Sequence, residues 1–423
     1  MKRLQAFKFR LKLTSAQSRD ARRFGGCRRF VYNKGLDACI KHYAEIGKHL
    51  GYNALAGQLV MWKKDPSFSW LKDAPSQVLQ QALKDLDLAF QRFFKGIADF
   101  PTFKKKTAGS GFRFPQGFRL DQSHDRILLP KMGYVRYRNS REILGTVKNV
   151  TLSTKAGYWF ASIQTEREIE PGYHPATSSI GIDMGIKRHM TLSTCDHFDP
   201  LNAQKKKMGK LAKYQRKMSR QTKFGKNWTK TRNRLQKIHT GIANARQDFL
   251  HKTTTILSKN HALIVVEDLK VKNMSKSAKG SVETPGRNVR QKAGLNRSVL
   301  DQAWASARSM LEYKQEWRGG MLLAVPPQYT SQTCPACGHV SSKNRLTQSQ
   351  FECVECGFEG NADHVGAINI LERGHRSLAC QANDATRSSA TGTRPKRLKE
   401  GRNACVERSR NLRPFHANMA AVG

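Results

Sequence analysis

The chain has 423 residues, 75 of them lysine or arginine against 32 acidic, for a formal net charge of +43. That excess lies far beyond what solubility requires and implies a polyanionic partner. Nucleic acid fits better than a membrane, because no apolar run reaches the ~18 residues of a spanning helix. The start, Met1-Lys-Arg-Leu-Gln-Ala-Phe-Lys8, has the cations of a secretory signal without its apolar stretch. The length and a 38% hydrophobic content suggest two to four domains.

Residues 1 to about 13 alternate apolar and basic positions and read as an edge or barrel strand. Thr14 or Ser15 then caps a helix, and a second helix after Pro75-Ser76 carries a stripe from Val78 to Ile97 that reads as core. Phe100 and Phe103 stand beside Lys104, Lys105 and Lys106, a pairing suited to stacking on bases and holding phosphates, or else a solvated linker. From Phe112 to about Glu168 short alternating segments separated by turns predict a small antiparallel barrel or sheet. The helices of 14–110 would be an insertion into it. Between about 203 and 256 a basic helical pair has sixteen Lys or Arg and one acid, Asp248. So lopsided a face points to phosphate contact, with Lys205, Lys206 and Lys207 at its start. Residues 272–294 read as mobile, a helix is expected over about 298–318, and 374–423 reads as a basic, mostly disordered tail.

Four cysteines form the sharpest pattern. Cys334-Pro-Ala-Cys337 and Cys353-Val-Glu-Cys356 are each followed by a glycine, with fifteen residues between the pairs. Two such turns close a four-sulfur zinc site, a structural zinc ribbon. Gly338 and Gly357 would take positive φ after each turn. The other five cysteines, Cys27, Cys39, Cys195, Cys380 and Cys405, are scattered and odd in number, which suggests a reducing cytoplasm.

Three acids complete the picture. Asp183 ends the apolar segment Ser179-Ile-Gly-Ile, Glu267 ends Leu263-Ile-Val-Val, and Asp363 begins an apolar helical segment seven residues after Cys356. Strand-end and helix-start positions meet at one edge of an α/β sheet. Converging acids need cations, and hard oxygen ligands select Mg2+ or Mn2+. Two such ions could hydrolyse a phosphodiester. A Gly-x-Asp-x-Gly strand also opens sugar kinases and actin-like ATPases; the basicity, the second strand carboxylate and the cysteines favour a nuclease. Asp268 competes with Glu267, but pleat alternation lets only one of the two neighbours face the site.

Gly181-Ile-Asp183-Met-Gly185, Val265-Val-Glu267-Asp-Leu269, Thr330-Ser-Gln-Thr-Cys-Pro-Ala-Cys-Gly338, and Asn361-Ala-Asp363 with Ala367-Ile-Asn-Ile370 resemble the TnpB family encoded by insertion sequences, transposon-borne relatives of type V CRISPR effectors. Gly26-Cys-Arg-Arg-Phe-Val-Tyr-Asn33, Arg246-Gln-Asp-Phe-Leu-His-Lys252 and Leu311-Glu-Tyr-Lys314 add to the likeness, which spans roughly residues 1–373. The resemblance implies a multidomain α+β chain: an RNase H-like (RuvC) α/β nuclease domain over 179–328 and 359–373 with Asp183, Glu267 and Asp363 as catalytic acids. A zinc-ribbon target-nucleic-acid-binding insert would occupy 329–358. A β-barrel wedge domain over 1–13 and 111–178 would carry a helical recognition domain over 14–110. It further implies an RNA-guided DNA endonuclease of the prokaryotic cytoplasm and nucleoid, with a guide RNA from the transposon end and double-stranded target DNA as partners. Many relatives read Asp-x-Asn-Ala-Ala where this chain has Asp363-His-Val-Gly-Ala367, so Val365 and Gly366 are expected to remove a polar group near the third acid. Three other readings compete: a transposase acting by strand transfer, a guided binder that does not cut, and a zinc-ribbon transcription or replication factor. The last leaves Asp183 and Glu267 without purpose.

Overall fold

The computed structural model describes residues 2–106, 111–170 and 172–390 and divides into two compact units. The first comprises Met1–Ala176, Pro200–Ala262 and Val271–Gly320; the second comprises Thr177–Asp199, Leu263–Lys270 and the chain from Met321. No helix among the described residues is long and apolar enough to cross a membrane.

In the first unit, strand β1 (Lys2–Lys12) buries Phe7, Phe9 and Leu11 and exposes the lysines and arginine between them. It pairs antiparallel with β7 (Tyr158–Glu168) as far as Arg10, then with β5 (Gly133–Tyr137) at Leu11 and Lys12. This handover joins β2 (Gly111–Phe114), β6 (Thr146–Lys155) and β7 on one side to β5, β4 (Arg126–Leu129) and β3 (Arg119–Asp121) on the other. The result is a seven-stranded sheet in the order β2-β6-β7-β1-β5-β4-β3, with no pairing between β2 and β3 among the described residues. The N-terminal segment, read from the sequence as an edge or barrel strand, is the central strand of this sheet.

Helix α1 (Ser15–Ile46) starts with a capping box: Thr14 Oγ1 accepts from the Gln17 amide, and Gln17 Oε1 accepts from the Thr14 amide. It packs on α3 (Ser76–Phe94), whose Val78, Leu79, Ala82, Leu83, Leu86 and Phe90 form one buried stripe. At Gly35 a side chain would come within 2.9 Å of Leu83, so the glycine sets how closely these helices approach. Between them lies α2 (Tyr52–Lys64), which the sequence pattern did not single out. Helices and sheet share a single apolar cluster, from Phe7 and Phe24 to Leu86 and Ile163, so the helical insertion has no core apart from the sheet.

The basic pair follows as α4 (Met208–Ser219) and α5 (Lys226–Asn260). A short helix α6 (Val271–Met274) precedes α7 (Val289–Gln302) and α8 (Trp304–Arg318). The helix expected over 298–318 is thus two, broken at Ala303, which adopts φ 55°. Lys314 ties α8 to α5 by donating to the His251 carbonyl and to the hydroxyls of Thr254 and Thr255 at 2.7–2.8 Å.

The second unit holds a five-stranded sheet: β8 (Ser179–Asp183), β9 (Met190–Leu192), β10 (His197–Phe198), β11 (Leu263–Glu267) and β12 (Met321–Val325), in the order β10-β9-β8-β11-β12. Strands β8, β11 and β12 are parallel, and β9 runs antiparallel to β8. A hairpin of β13 (Gln350–Glu352) and β14 (Glu359–Asn361) leads into α9 (Ala362–Ala390). That helix continues well past residue 373, where the sequence pattern placed the start of a disordered tail; residues 391–423 of that expectation lie outside the described residues.

Candidate active site and cysteine centre

Strands β8 and β11 are adjacent and parallel, and both carry the burial pattern of three buried residues between two partly exposed ends. The register pairs Ile182 with Val266, which puts Asp183 and Glu267 side by side one step further on. From β8 the chain moves outward to β9 and β10, then returns on the opposite side as β11. The two acids therefore stand at the carboxyl ends of the strands where the winding reverses, the place where open α/β sheets bind ligands.

The third acid arrives on α9. Asn361 Oδ1 accepts from the amides of Asp363 and His364 at 3.1 and 3.3 Å, capping the helix and fixing Asp363 in its first turn. Helix α9 lies hard against β8: at Gly181 a side chain would collide with the Ala367 carbonyl. Burial, followed by the charges of Glu267 and Asp363, pushes the Asp183 carboxyl up to about 7. Glu267 is also raised by burial, opposed by a 2.6 Å hydrogen bond from Thr330 Oγ1 and by the charges of Arg373 and Arg345. Arg345 lies 3.7 Å from Asp363 Oδ1. Such a site favours a bound cation, which would replace the water these carboxylates have lost and offset their mutual repulsion.

The four cysteine sulfurs all lie within 4.8 Å of one another, a group that could hold a metal ion. Cys334 and Cys356 are 3.7 Å apart and Cys337 and Cys353 3.6 Å, close to the ~3.8 Å edge of a tetrahedron of zinc–sulfur bonds. The two halves repeat one geometry. Gly338 and Gly357 have φ of 77° and 72°, and each donates its amide to the carbonyl of the first cysteine of its pair. Cys334 and Cys353 are buried with Phe351, Ala362 and Val365. Val365 thus faces the cysteine cluster rather than the acids. Gly366 is the residue beside the carboxylates, its missing side chain leaving 3.6 Å to Asp183 Oδ2.

The basic candidates lie in the first unit. Asn33 holds the Lys104 backbone by both its amide and its carbonyl oxygen, and the Lys104 ammonium lies 4.7 Å over the Tyr32 ring. Lys105, Lys106 and Phe103 are exposed, while Phe100 packs edge-on against Phe90 and Phe93 and is only partly free. Lys205, Lys206 and Lys207 form an exposed 3-10 turn. Its start is held by buried Asp301, which accepts from the amides of Gln204 and Lys205 and from Arg246. The structure thus brings the three acids together and carries the two basic candidates on different segments of the first unit.

Sequence reasoning missed Thr330, Arg345, Asn361 and Asn369 as parts of the site. Asn369 is buried and donates to the carbonyls of Thr330 and Thr333, holding the strand-to-cysteine connection in place. A signal existed for two of them: Thr330 begins the segment that leads into the first cysteine pair, and Asn361 immediately precedes a helix start, where asparagine caps well.

Three family models match the chain: "Probable transposase" over residues 162–278, "Cas12f1-like, TNB domain" over 304–370, and "Helix-turn-helix domain" over 1–48. Residues 2–46 here are one strand and one long helix, despite that last description. A protein of Escherichia coli (strain K12) named "Putative RNA-guided DNA endonuclease InsQ" is 53% identical over 380 residues, 90% of this chain and 94% of that protein. A "Putative RNA-guided DNA endonuclease" of Streptomyces pristinaespiralis is 32% identical over 89% of this chain and 90% of its own length. A TnpB-like protein of Methanocaldococcus jannaschii is 30% identical over 152 residues, 35% of this chain and 57% of that protein. Acids at a sheet edge and four converging sulfurs that could hold a metal ion, within a strongly basic chain, mark an α+β protein whose named relatives are endonucleases. The chain belongs to the TnpB family of insertion-sequence proteins.

Proposed function

We propose that the chain is an RNA-guided DNA endonuclease encoded by a transposable element, cutting target DNA beside a short adjacent motif. The observation that carries this reading is the placement of Asp183, Glu267 and Asp363, two at the reversal point of the five-stranded sheet and one in the first turn of α9. In this reading the sheet and α9 are the RuvC-type, RNase H-like domain, 179–328 with 359–373. Two Mg2+ or Mn2+ ions held by the three carboxylates would supply an activated water and neutralise charge on the leaving oxygen. Thr330 orients Glu267, the Asn361 cap orients Asp363, and Arg345 supplies positive charge at the edge the phosphodiester must reach. Zn2+ on Cys334, Cys337, Cys353 and Cys356 would brace the 329–358 insert.

The seven-stranded sheet would serve as the wedge domain (1–13 and 111–178), with 14–110 as its recognition part. Lys104–Lys106 and Lys205–Lys207 would hold nucleic-acid backbones. The charge is spread over many segments, as suits a protein that holds backbones while base pairing supplies sequence.

The test is to express the chain with its native flanking DNA and sequence the RNA that co-purifies. That RNA then programs Mg2+-dependent cutting of a matched plasmid. One discrete RNA and guide-directed cleavage support the reading; heterogeneous, salt-removable nucleic acid and no cutting oppose it. The description "Probable transposase" keeps strand transfer as a second reading, since the same acids could serve it. Free ends separate hydrolysis from the joined strands of transfer.

A further inference from the structure

Where β1 hands over from β7 to β5, an open cavity of about 640 Å³ is lined by Arg10, Lys12, Ser18, Arg138, Tyr158 and Trp159, among others. No acidic residue lines it among the described residues. The Arg10 guanidinium lies 3.7 Å from the centre of the Tyr158 ring, a flat cationic platform, and the Lys237 ammonium of α5 approaches the same ring at 5.9 Å. The platform is built into the backbone. Ala156 and Gly157 take φ of 51° and 85° in the β6–β7 hairpin, making Tyr158 the first residue of β7, and Arg138 donates its amide to the Arg10 carbonyl.

The size suits a ligand of one or two nucleotides, within the usual range for small-ligand sites. Its chemistry is that of a nucleotide: cations for phosphate and a stacked guanidinium and ring for a base. We propose that this cavity holds one nucleotide of an RNA strand, swung out of its stack, with the base on the Arg10–Tyr158 platform and its phosphates on Lys12 and Arg138. RNA is favoured because its single-stranded loops present unstacked bases to aromatic and arginine planes, whereas bases paired in a guide–target duplex are not free to enter. The inference rests on the reading of the chain as an RNA carrier.

The experiment uses the full-length protein and single-stranded RNA transcribed from the flanking DNA with 4-thiouridine incorporated. Ultraviolet cross-linking is followed by digestion and mass spectrometry. The expected result is a ribonucleotide adduct on the peptide containing Tyr158 and Trp159. Affinity should fall at least about fivefold in Tyr158→Ala. Arg10→Gln/Arg138→Gln, two exposed side chains whose loss should leave the melting temperature unchanged, should weaken binding as well and lower the salt dependence. Adducts confined to other peptides, unchanged affinity in the double variant, or a deoxyribonucleotide adduct when DNA competes would each overturn the proposal. Failure of the guided reading shows differently: no discrete RNA co-purifies from cells, while the added RNA still cross-links at Tyr158.

Discussion

The two sheets bury their residues in opposite ways. In the seven-stranded antiparallel sheet β1 alternates, Phe7, Phe9 and Leu11 inward, Lys8, Arg10 and Lys12 outward. In the five-stranded sheet β8 and β11 are buried on both faces for three residues running. An antiparallel sheet with one free face can offer a broad cationic surface. A parallel sheet covered on both faces offers solvent only its edge, so polar chemistry collects where the strands end, as Asp183 and Glu267 do. On the proposed function, binding and chemistry would be separated by sheet type.

The most severe way to break that division is Asp183→Ala. Cleavage should fall by more than about a hundredfold, beyond the loss expected from a supporting group, while RNA and target affinity stay within about twofold. Gel-based cleavage and binding assays check this, and parallel loss of binding would contradict the division. Thr330→Val should cost about ten- to a hundredfold in metal affinity or rate, because it removes the hydrogen bond that orients Glu267 and holds its carboxyl down. The rate profile should move to higher pH, read by titrating activity against Mg2+ and pH.

The converse change, Lys205, Lys206 and Lys207 all to Gln, should weaken nucleic-acid binding without altering the rate at saturation. The slope of log affinity against log salt should drop by roughly 0.7–0.9 for each phosphate no longer neutralised. Burial of Asp183 also predicts a stability effect. Its folded carboxyl, at about 7, is above the unfolded value, so the folded state binds the extra proton. The metal-free protein should therefore lose stability as pH rises from about 4 through about 7. Asp183→Asn should raise the melting temperature above pH 7 by a few degrees and do little below pH 4. The smallest effect is expected for Gly366→Ala: its added methyl would sit 3.6 Å from Asp183 in ordinary contact, and the rate should change less than about twofold.

What the sequence determined by itself was local. The two cysteine pairs dictate their own turns, and glycines after them adopt the positive φ that their position requires. Apolar runs ending in Asp183 and Glu267 dictate strands with acids at their ends, and the alternation of residues 2–12 dictates a one-faced strand. Tertiary structure decided the rest. That Val365 faces the cysteines and Gly366 the carboxylates depends on how α9 lies across β8, which adjacent letters in a helix do not reveal. Thr330 and Arg345 reach the acids only because the cysteine-bearing loop folds back on the sheet edge. The handover of β1 from β7 to β5 and the cavity beside it depend on partners more than a hundred residues away. Spacing along a chain specifies turns and faces, whereas convergence of distant side chains depends on packing and strand register, which are set by every partner at once.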